Sequence, residues 1–383
     1  MKSSFSPKQK KHKADFLLPP TPGYAFPLLM RWMQENEIEP KYWLRYGSTA
    51  LLSAFGMPFR WLERQQFDPV IADFEIRESP VFILGHWRSG TTYLHNLLCQ
   101  DVQMGCTTTF QSAFPENLLA QPGRALYYQA ARFFMPKFRK GDNVRMHPEY
   151  PQEEELALGS RFPFSFYYFL FFPRRAREFY DRFVRFHNVS EAEKSRWQQE
   201  YIRLIKKSLI NTGRPRYLSK NPANTARIRQ LLELFPDARF IHIYRNPFVV
   251  FNSTCKFFRE TLPPLQFQQI GDRELEENIL YLYGRMMQHY RQDRGLIPEG
   301  NLVEVRFEEL ETDPIGQLLK VYETLDLPGF GAALPHFRRY VESRKGYEKN
   351  QYRFPQEEIA RVAARWQFAL EEWDYDAPLR QSP

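Results

Sequence analysis

The octapeptide Gly85-His86-Trp87-Arg88-Ser89-Gly90-Thr91-Thr92 gathers residue types that hold an anion. It directly follows the apolar run Val81-Phe82-Ile83-Leu84, and a helical pattern opens after it with Leu94, Leu97 and Leu98 on one face. A strand, a glycine-bounded loop and a helix N-terminus form a cradle. Unpaired backbone N–H groups and the positive end of the helix dipole point into it. Gly85 and Gly90 let the backbone approach oxygens closely, and Ser89, Thr91 and Thr92 add hydroxyl donors. The Gly85-x4-Gly90 spacing equals that of an ATP-type phosphate loop, but Thr91 stands where that loop has its lysine. The cation here is Arg88, inside the loop. Its fixed charge and forked donors suit a phosphate and do not suit a general base.

A second anion site is indicated by Arg245, which ends the run Phe240-Ile241-His242-Ile243-Tyr244. Pro247 favours a helix start, and Ser253 follows about two turns later. The arginine can grip a phosphate bidentately, and the serine adds a neutral donor. Proton chemistry has its candidates in Pro151-Gln152-Glu153-Glu154-Glu155. A carboxylate held near an anion and partly desolvated has a raised pKa, which suits a general base. On a straight helix Glu153 and Glu155 point about 200° apart, so one cleft cannot take both. Glu153 is the first candidate and Glu155 the second. Glu154, His86, His95 and His147 are the competing choices, and first-turn acids that merely stabilise a helix are the structural alternative. Lys220 could place positive charge near the reacting group.

Four short strands would position these residues: 81–84, 216–219, 240–244 and 302–307. Helical runs over 225–235 and 314–325 lie between and after them. Strands alternating with helices predict an α/β protein with a mostly parallel sheet and helices on both faces. Ligands of such sheets sit at the carboxyl ends of the strands. Residues 24–66 read as short helices, because Trp32, Met33, Trp43, Leu44, Leu51, Leu52, Phe55, Trp61 and Leu62 recur at roughly helical spacing. They predict an N-terminal helical cap, 24–75, packed on a core of 80–350. A membrane-surface role for this apolar helix and the basic tail is the alternative. Residues 1–23 are expected to be a loose tail and 24–383 one domain.

Composition narrows the function. With 53 Lys plus Arg against 45 Asp plus Glu, the net charge is +8. Residues 2–13 carry Lys2, Lys8, Lys10, Lys11 and Lys13 without an acid, which leaves the remainder at only +3. That balance excludes a general nucleic-acid binder and allows pockets for small anions. The cysteines, Cys99, Cys106 and Cys255, lack the spacing of a disulfide framework or a structural zinc site. They suit a reduced, cytoplasmic interior. No stretch reaches the ~18 apolar residues of a membrane span, and no hydrophobic run behind Met1–Lys13 marks a signal peptide.

The loop His86-Trp87-Arg88-Ser89-Gly90-Thr91-Thr92 resembles the 5′-phosphosulfate loop of sulfotransferases that use 3′-phosphoadenosine 5′-phosphosulfate (PAPS). Arg245 with Ser253 resembles their 3′-phosphate motif. The resemblance covers roughly residues 80–350 and implies a P-loop-type α/β fold. In it Arg88, Ser89, Gly90, Thr91 and Thr92 would hold the phosphosulfate. Arg245 and Ser253 would hold the 3′-phosphate, adenosine 3′,5′-bisphosphate would be the product, and no metal would be required. Ser219-Lys220-Asn221-Pro222-Ala223-Asn224 is similar to a strand-end segment of bacterial members, except that Asn224 stands where they often have His. Arg344-Lys345-Gly346 and Tyr347-Glu348-Lys349-Asn350 resemble segments that close over the 3′-phosphate, which implies contacts from Lys345 and Lys349. A Pro-Gln-Glu-x-Glu pattern in similar sequences implies a glutamate base, Glu153 before Glu155.

The acceptor is hinted at by residues 161–173, where eight of 13 positions are aromatic and Arg174, Arg175 and Arg177 follow. The segment could line an apolar acceptor pocket, dip into a membrane interface or form core. Its density favours a hydrophobic acceptor over a free sugar. Some bacterial relatives modify a prenyl-quinone lipid, so a lipid hydroxyl, with peripheral contact at the inner face of a membrane, is the acceptor class to expect. The sequence fixes no oligomeric state. A P-loop kinase or NTPase is the rival reading, disfavoured by Thr91, and a non-catalytic nucleotide- or membrane-binding protein is the other.

Overall fold

Side chains alternate across a strand, so a strand buried on both faces needs apolar residues throughout. Val81-Phe82-Ile83-Leu84 meets that condition. In the computed structural model, which describes residues 21, 23–139, 144–344 and 354–376, it forms most of β1 (Glu78–Leu84). The other strands are β2 (Met104–Gly105), β3 (Arg216–Lys220), β4 (Arg239–Tyr244) and β5 (Leu302–Arg306). Their order is β2-β3-β1-β4-β5, and every pairing is parallel. Val81 and Ile83 pack with Leu94, Leu97, Leu218, Ile241 and Ile243 in one core. Phe82 and Leu84 join Tyr217 and Phe240 in a larger core on the opposite face. Helices therefore cover both faces, as expected. β2 is too short for periodicity to mark it. The helix expected over 225–235 is divided into a 3-10 turn, Pro222–Ala226, and a helix, Ile228–Leu234. Asn221 caps the turn by accepting the Ala223 N–H at 3.1 Å.

Register brings three strand ends together. Leu84 of β1 lies opposite His242 of β4, and Ile83 lies opposite Lys220 of β3. The loop after β1, Lys220 at the end of β3 and Arg245 just past β4 therefore meet at one edge of the sheet. The loop leads into α4 (Thr91–Leu98).

The N-terminal helices form, and the first docks through Leu28, Leu29 and Trp32 as expected, but the second and the start of the third dock the other way round. They are α1 (Phe26–Glu35), α2 (Trp43–Phe55) and α3 (Met57–Asp73). Trp32 is buried, whereas Met33, Trp43, Leu44, Leu51, Leu52, Phe55 and Trp61 are exposed. The inward face is polar instead: Arg45, Thr49, Ser53, Arg60 and Glu63 are buried. Arg45 donates to the Gln266 carbonyl at 2.8 Å, and Glu63 accepts the Leu119 N–H at 3.0 Å and pairs with Lys207. In α2 and α3, hydrogen bonds to backbone and one buried ion pair share the docking with Tyr46 and Ala50, which join the core. Thr21 and Gly23, inside the stretch expected to be loose, are buried against the domain, and the lysines of residues 2–13 lie outside the described residues.

Candidate functional site

The cradle begins with two glycines that could not be replaced. Gly85 has φ 142°, and a Cβ there would fall 2.5 Å from the Ile243 carbonyl oxygen. Gly90 caps α4 with φ 95°, and a Cβ there would meet the Phe307 ring at 2.1 Å. No side chain caps the N-terminus of α4, so its first-turn N–H groups keep their polarity toward the loop. The Gly85 N–H donates to Thr225 Oγ1 at 2.7 Å, which ties the loop to the turn after β3. Arg88 is held at φ 70°, a left-handed conformation that costs a non-glycine residue of order 1–3 kcal/mol and that concentrates at ligand sites.

Arg88 Nε donates to Ser253 Oγ at 2.9 Å. Arg245 Nη1 reaches the Arg88 carbonyl at 3.4 Å. The two anion motifs, 157 residues apart in the chain, thus share one site. Each guanidinium is steadied by an aromatic face: Arg245 lies 4.1 Å from the Phe307 centroid and Arg88 5.3 Å from that of Phe257. Asn246 starts the helix that carries Ser253, Pro247–Thr261, by accepting the Phe248 N–H at 3.0 Å. Ser89 and Thr91 are buried in the cradle wall, and Thr92 is half-buried. Lys345 and Lys349 lie outside the described residues.

The three glutamates take three directions, because the helix begins only at Glu155 (Glu155–Leu158). Glu153 precedes it and faces the cradle. Its carboxylate accepts from the Lys220 ammonium through one oxygen and from the Tyr167 hydroxyl through the other. Tyr167 in turn accepts from Trp87 Nε1, in the phosphate loop, at 2.9 Å. Burial pushes the Tyr167 hydroxyl well above its ordinary pKa, and the Glu153 charge adds to that, so it stays a donor. Burial pulls the Lys220 ammonium down, and Glu153 pulls it back up.

Glu154 points into the core, where Tyr201 donates at 2.9 Å and Asn224 at 3.2 Å, with Ser219 as a third donor. Burial raises its pKa against the bonds from Ser219 and Tyr201. Asn224, the departure from the familiar histidine, serves here as a neutral donor to a buried carboxyl. Glu155 is fully buried and bidentate with Arg227, at 2.7 and 2.9 Å. Asn221 at 2.6 Å and the Phe166 N–H at 2.8 Å complete its partners. Burial alone would raise its pKa, but the Arg227 charge and these bonds outweigh it and hold the carboxyl low. Glu155 therefore joins three segments and does not face the cradle.

None of the three competing histidines hydrogen-bonds Glu153. His86 is buried against Tyr283, and burial pushes its pKa down to about 3. His147 lies on an exposed turn. His95 and Cys106 are buried and Cys99 is half-buried, and their ligand atoms lie within 4.8 Å of one another, a soft donor set. Aromatic residues 164–172 are core: Phe164, Phe166, Phe171 and Phe172 are all buried. The run therefore offers no membrane contact, and of its residues Tyr167 meets Glu153.

Sequence reasoning missed Tyr167, Arg227, Thr225 and Arg139. Arg139 lies 5.6 Å from the same Phe257 ring as Arg88, and its charge further lowers the Lys220 pKa. Asn221-Pro222 after Lys220 was a readable sign of a capped turn. Tyr167, inside an aromatic run, carried no polar signal of its own.

The parallel sheet, the glycine-walled loop and the strand-end arginine define an α/β protein of the phosphate-loop class. The sequence pattern of the Sulfotransferase family matches residues 80–331, and the chain belongs to that family. It is 31% identical over 306 residues to omega-hydroxy-beta-dihydromenaquinone-9 sulfotransferase Stf3 of Mycobacterium bovis, covering 80% of this chain and 78% of that one. The Stf3 of Mycobacterium tuberculosis matches equally. The fold is similar to that of sulfotransferase STF1 from Mycobacterium tuberculosis, with a TM-score of 0.63 at 16% identity over 88% of this chain and 90% of that one. Sulfotransferase STF9 from Mycobacterium avium gives 0.62 at 18% identity, over 99% and 100%.

Proposed function

We propose that this sulfotransferase moves the sulfuryl group of PAPS to a hydroxyl of a lipid-class acceptor, as a cytoplasmic enzyme working at the inner face of a membrane. The observation that carries the reading is the 2.9 Å bond between Arg88 and Ser253, with Arg245 beside them. Two phosphate-type motifs that share a site suit a ligand with phosphate at two ends. The loop 88–92 would hold the 5′-phosphosulfate and Arg245 with Ser253 the 3′-phosphate, with Lys345 and Lys349 as further contacts. The 31% identity to enzymes named for a hydroxylated menaquinone supports the acceptor class.

In the transfer, the acceptor oxygen bonds to sulfur as the sulfur–oxygen bond to the 5′-phosphate breaks. The acceptor proton passes to Glu153, which Tyr167 and Lys220 hold in place. Arg88 offsets charge on the departing phosphate. When Glu153 takes the proton it loses its charge, and Lys220 is released from its partner toward the sulfuryl oxygens. Glu155 acts through the fold: its pairing with Arg227 fixes the turn that presents Glu153.

The test is transfer of labelled sulfate from PAPS into a lipid extract, with Mg-ATP turnover as the competing assay. Labelled sulfolipid that disappears in Arg88→Ala and Arg245→Ala is the expected result. Activity intact in both variants, or Mg-dependent ATP turnover instead, overturns the assignment.

A further inference from the structure

An amphipathic helix normally turns its apolar face inward, and α2 with the start of α3 does the reverse. Leu44, Leu51 and Phe55 recur seven and four residues apart, within about 40° of one line along the helix. They are 69%, 72% and 59% exposed. Trp43 and Trp61, both exposed, flank this stripe in sequence, and indoles favour a membrane–water boundary. The stripe carries no exposed acid: between residues 43 and 64 the only carboxylate is Glu63, buried against Lys207.

The neighbouring helix Gly123–Phe134 extends the surface. Phe59 of α3 packs on its Tyr127, and Phe133 and Phe134 project from its end. From residue 117 to 139 the sequence holds Arg124, Arg132, Lys137 and Arg139 and no acid.

A cavity of about 480 Å³ opens beside the stripe, walled by Phe26, Met57, Trp61 and Pro163. Its polar wall is Arg31, Arg60, Arg64 and Arg161. Three of these meet carboxylates: Arg31 meets Glu35, and Arg64 and Arg161 meet Glu116 at 3.5 and 3.6 Å. Arg60 is 4% exposed and pairs with no carboxylate. Its Nη2 donates to the Ser53 carbonyl, and its Nη1 has no hydrogen-bond partner. A buried guanidinium with a vacant donor is costly unless an anion completes it, and burial lowers its pKa accordingly.

We propose that α2 and α3 dock on an anionic phospholipid bilayer, with Leu44, Leu51 and Phe55 among the acyl chains and a headgroup phosphate at Arg60. Charge selects this occupant over a second copy of the chain. The described surface around the stripe carries Arg60, Arg124, Arg132, Lys137 and Arg139 with no exposed acid between 43 and 64 or 117 and 139, so a dimer would bring like charges together whereas an anionic leaflet attracts them. The inference rests on the membrane location in the proposed function and deepens it, but it needs neither the nucleotide nor the acceptor, so its test can fail while sulfuryl transfer stands.

Co-flotation of the full chain tests it, with vesicles of phosphatidylcholine alone and of phosphatidylcholine mixed with phosphatidylglycerol. The chain should float with the mixed vesicles at least about tenfold better than with the neutral ones. The Leu44→Ser/Leu51→Ser/Phe55→Ser variant should lose about tenfold or more of that binding, with its melting temperature and adenosine 3′,5′-bisphosphate affinity unchanged. It retains the basic tail, so the loss reads the stripe. Arg60→Gln should narrow the preference for the anionic vesicles, and inorganic phosphate should not compete. Equal flotation of the triple variant overturns the proposal. So do indifference to phosphatidylglycerol, displacement by inorganic phosphate, and a solution dimer that the triple variant splits.

Discussion

At the scale of single residues, three adjacent carboxylates have been given three different jobs by their surroundings. Glu153 meets an ammonium and a phenol at the mouth of the cradle, while Glu155 is saturated by a buried guanidinium. Glu153→Gln should therefore lower kcat by about 10²–10⁴ while the affinity for adenosine 3′,5′-bisphosphate holds, because general-base assistance alone is removed. Glu155→Gln should act on stability, costing about 3–5 kcal/mol by stranding Arg227, as urea unfolding would read. If Glu155→Gln instead unfolded like the parent and lost kcat as Glu153→Gln does, the two assignments would be exchanged. Tyr167→Phe should fall between, with kcat lowered and donor binding intact, since the phenol only orients Glu153.

At the scale of elements, the loop works because the Ile243 carbonyl of β4 and the Phe307 ring, just past β5, press against its two glycines. Gly90→Ala meets both the Phe307 ring and a left-handed φ. It should weaken adenosine 3′,5′-bisphosphate by about tenfold or more, since the backbone strain alone is of order 1–3 kcal/mol. Adding Phe307→Leu relieves the contact but not the φ, so calorimetry should find the double variant still impaired. A double variant that binds like the parent would show that only the ring contact mattered. The strands, the loop and the strand-end arginine were legible because apolar runs, glycines and prolines are local signals. The orientation of α2 was not, since periodicity finds an amphipathic helix without telling which face goes in. Arg45 and Ser53 decide that through bonds to the carbonyls of Gln266 and Tyr24, which no spacing announces. Glu153 was legible as a candidate, but its separation from Glu155 depends on where a four-residue helix begins.

At the scale of the whole molecule, stability should depend on pH through histidines buried without charge. Burial pushes His86 to about 3 and His289 to about 4. Their folded pKa values lie below the unfolded 6.5, so the unfolded chain binds protons that the folded chain refuses. The stability they contribute is complete above about pH 6.5 and is lost as the pH falls toward 3 to 4. Between about pH 6.5 and about pH 5, His86 alone should cost about 2 kcal/mol. Urea midpoints across that range should fall for the parent and fall less for His86→Gln. Parallel curves for the two would contradict this account of His86. Glu116, held near 2 by Lys207 and three arginines against its own burial, adds its loss only below its unfolded value of 4.5.

One nucleotide gripped at both phosphates is the claim on which the rest depends, and a ligand-by-variant cycle measures it directly. Calorimetry would compare adenosine 3′,5′-bisphosphate with AMP, which lacks the 3′-phosphate, on the parent chain and on Arg245→Ala. The account predicts that Arg245→Ala weakens the bisphosphate by about tenfold or more, toward the AMP value, and leaves AMP unchanged. Equal weakening of both ligands, or of neither, would contradict a contact between Arg245 and the 3′-phosphate and with it the two-ended grip.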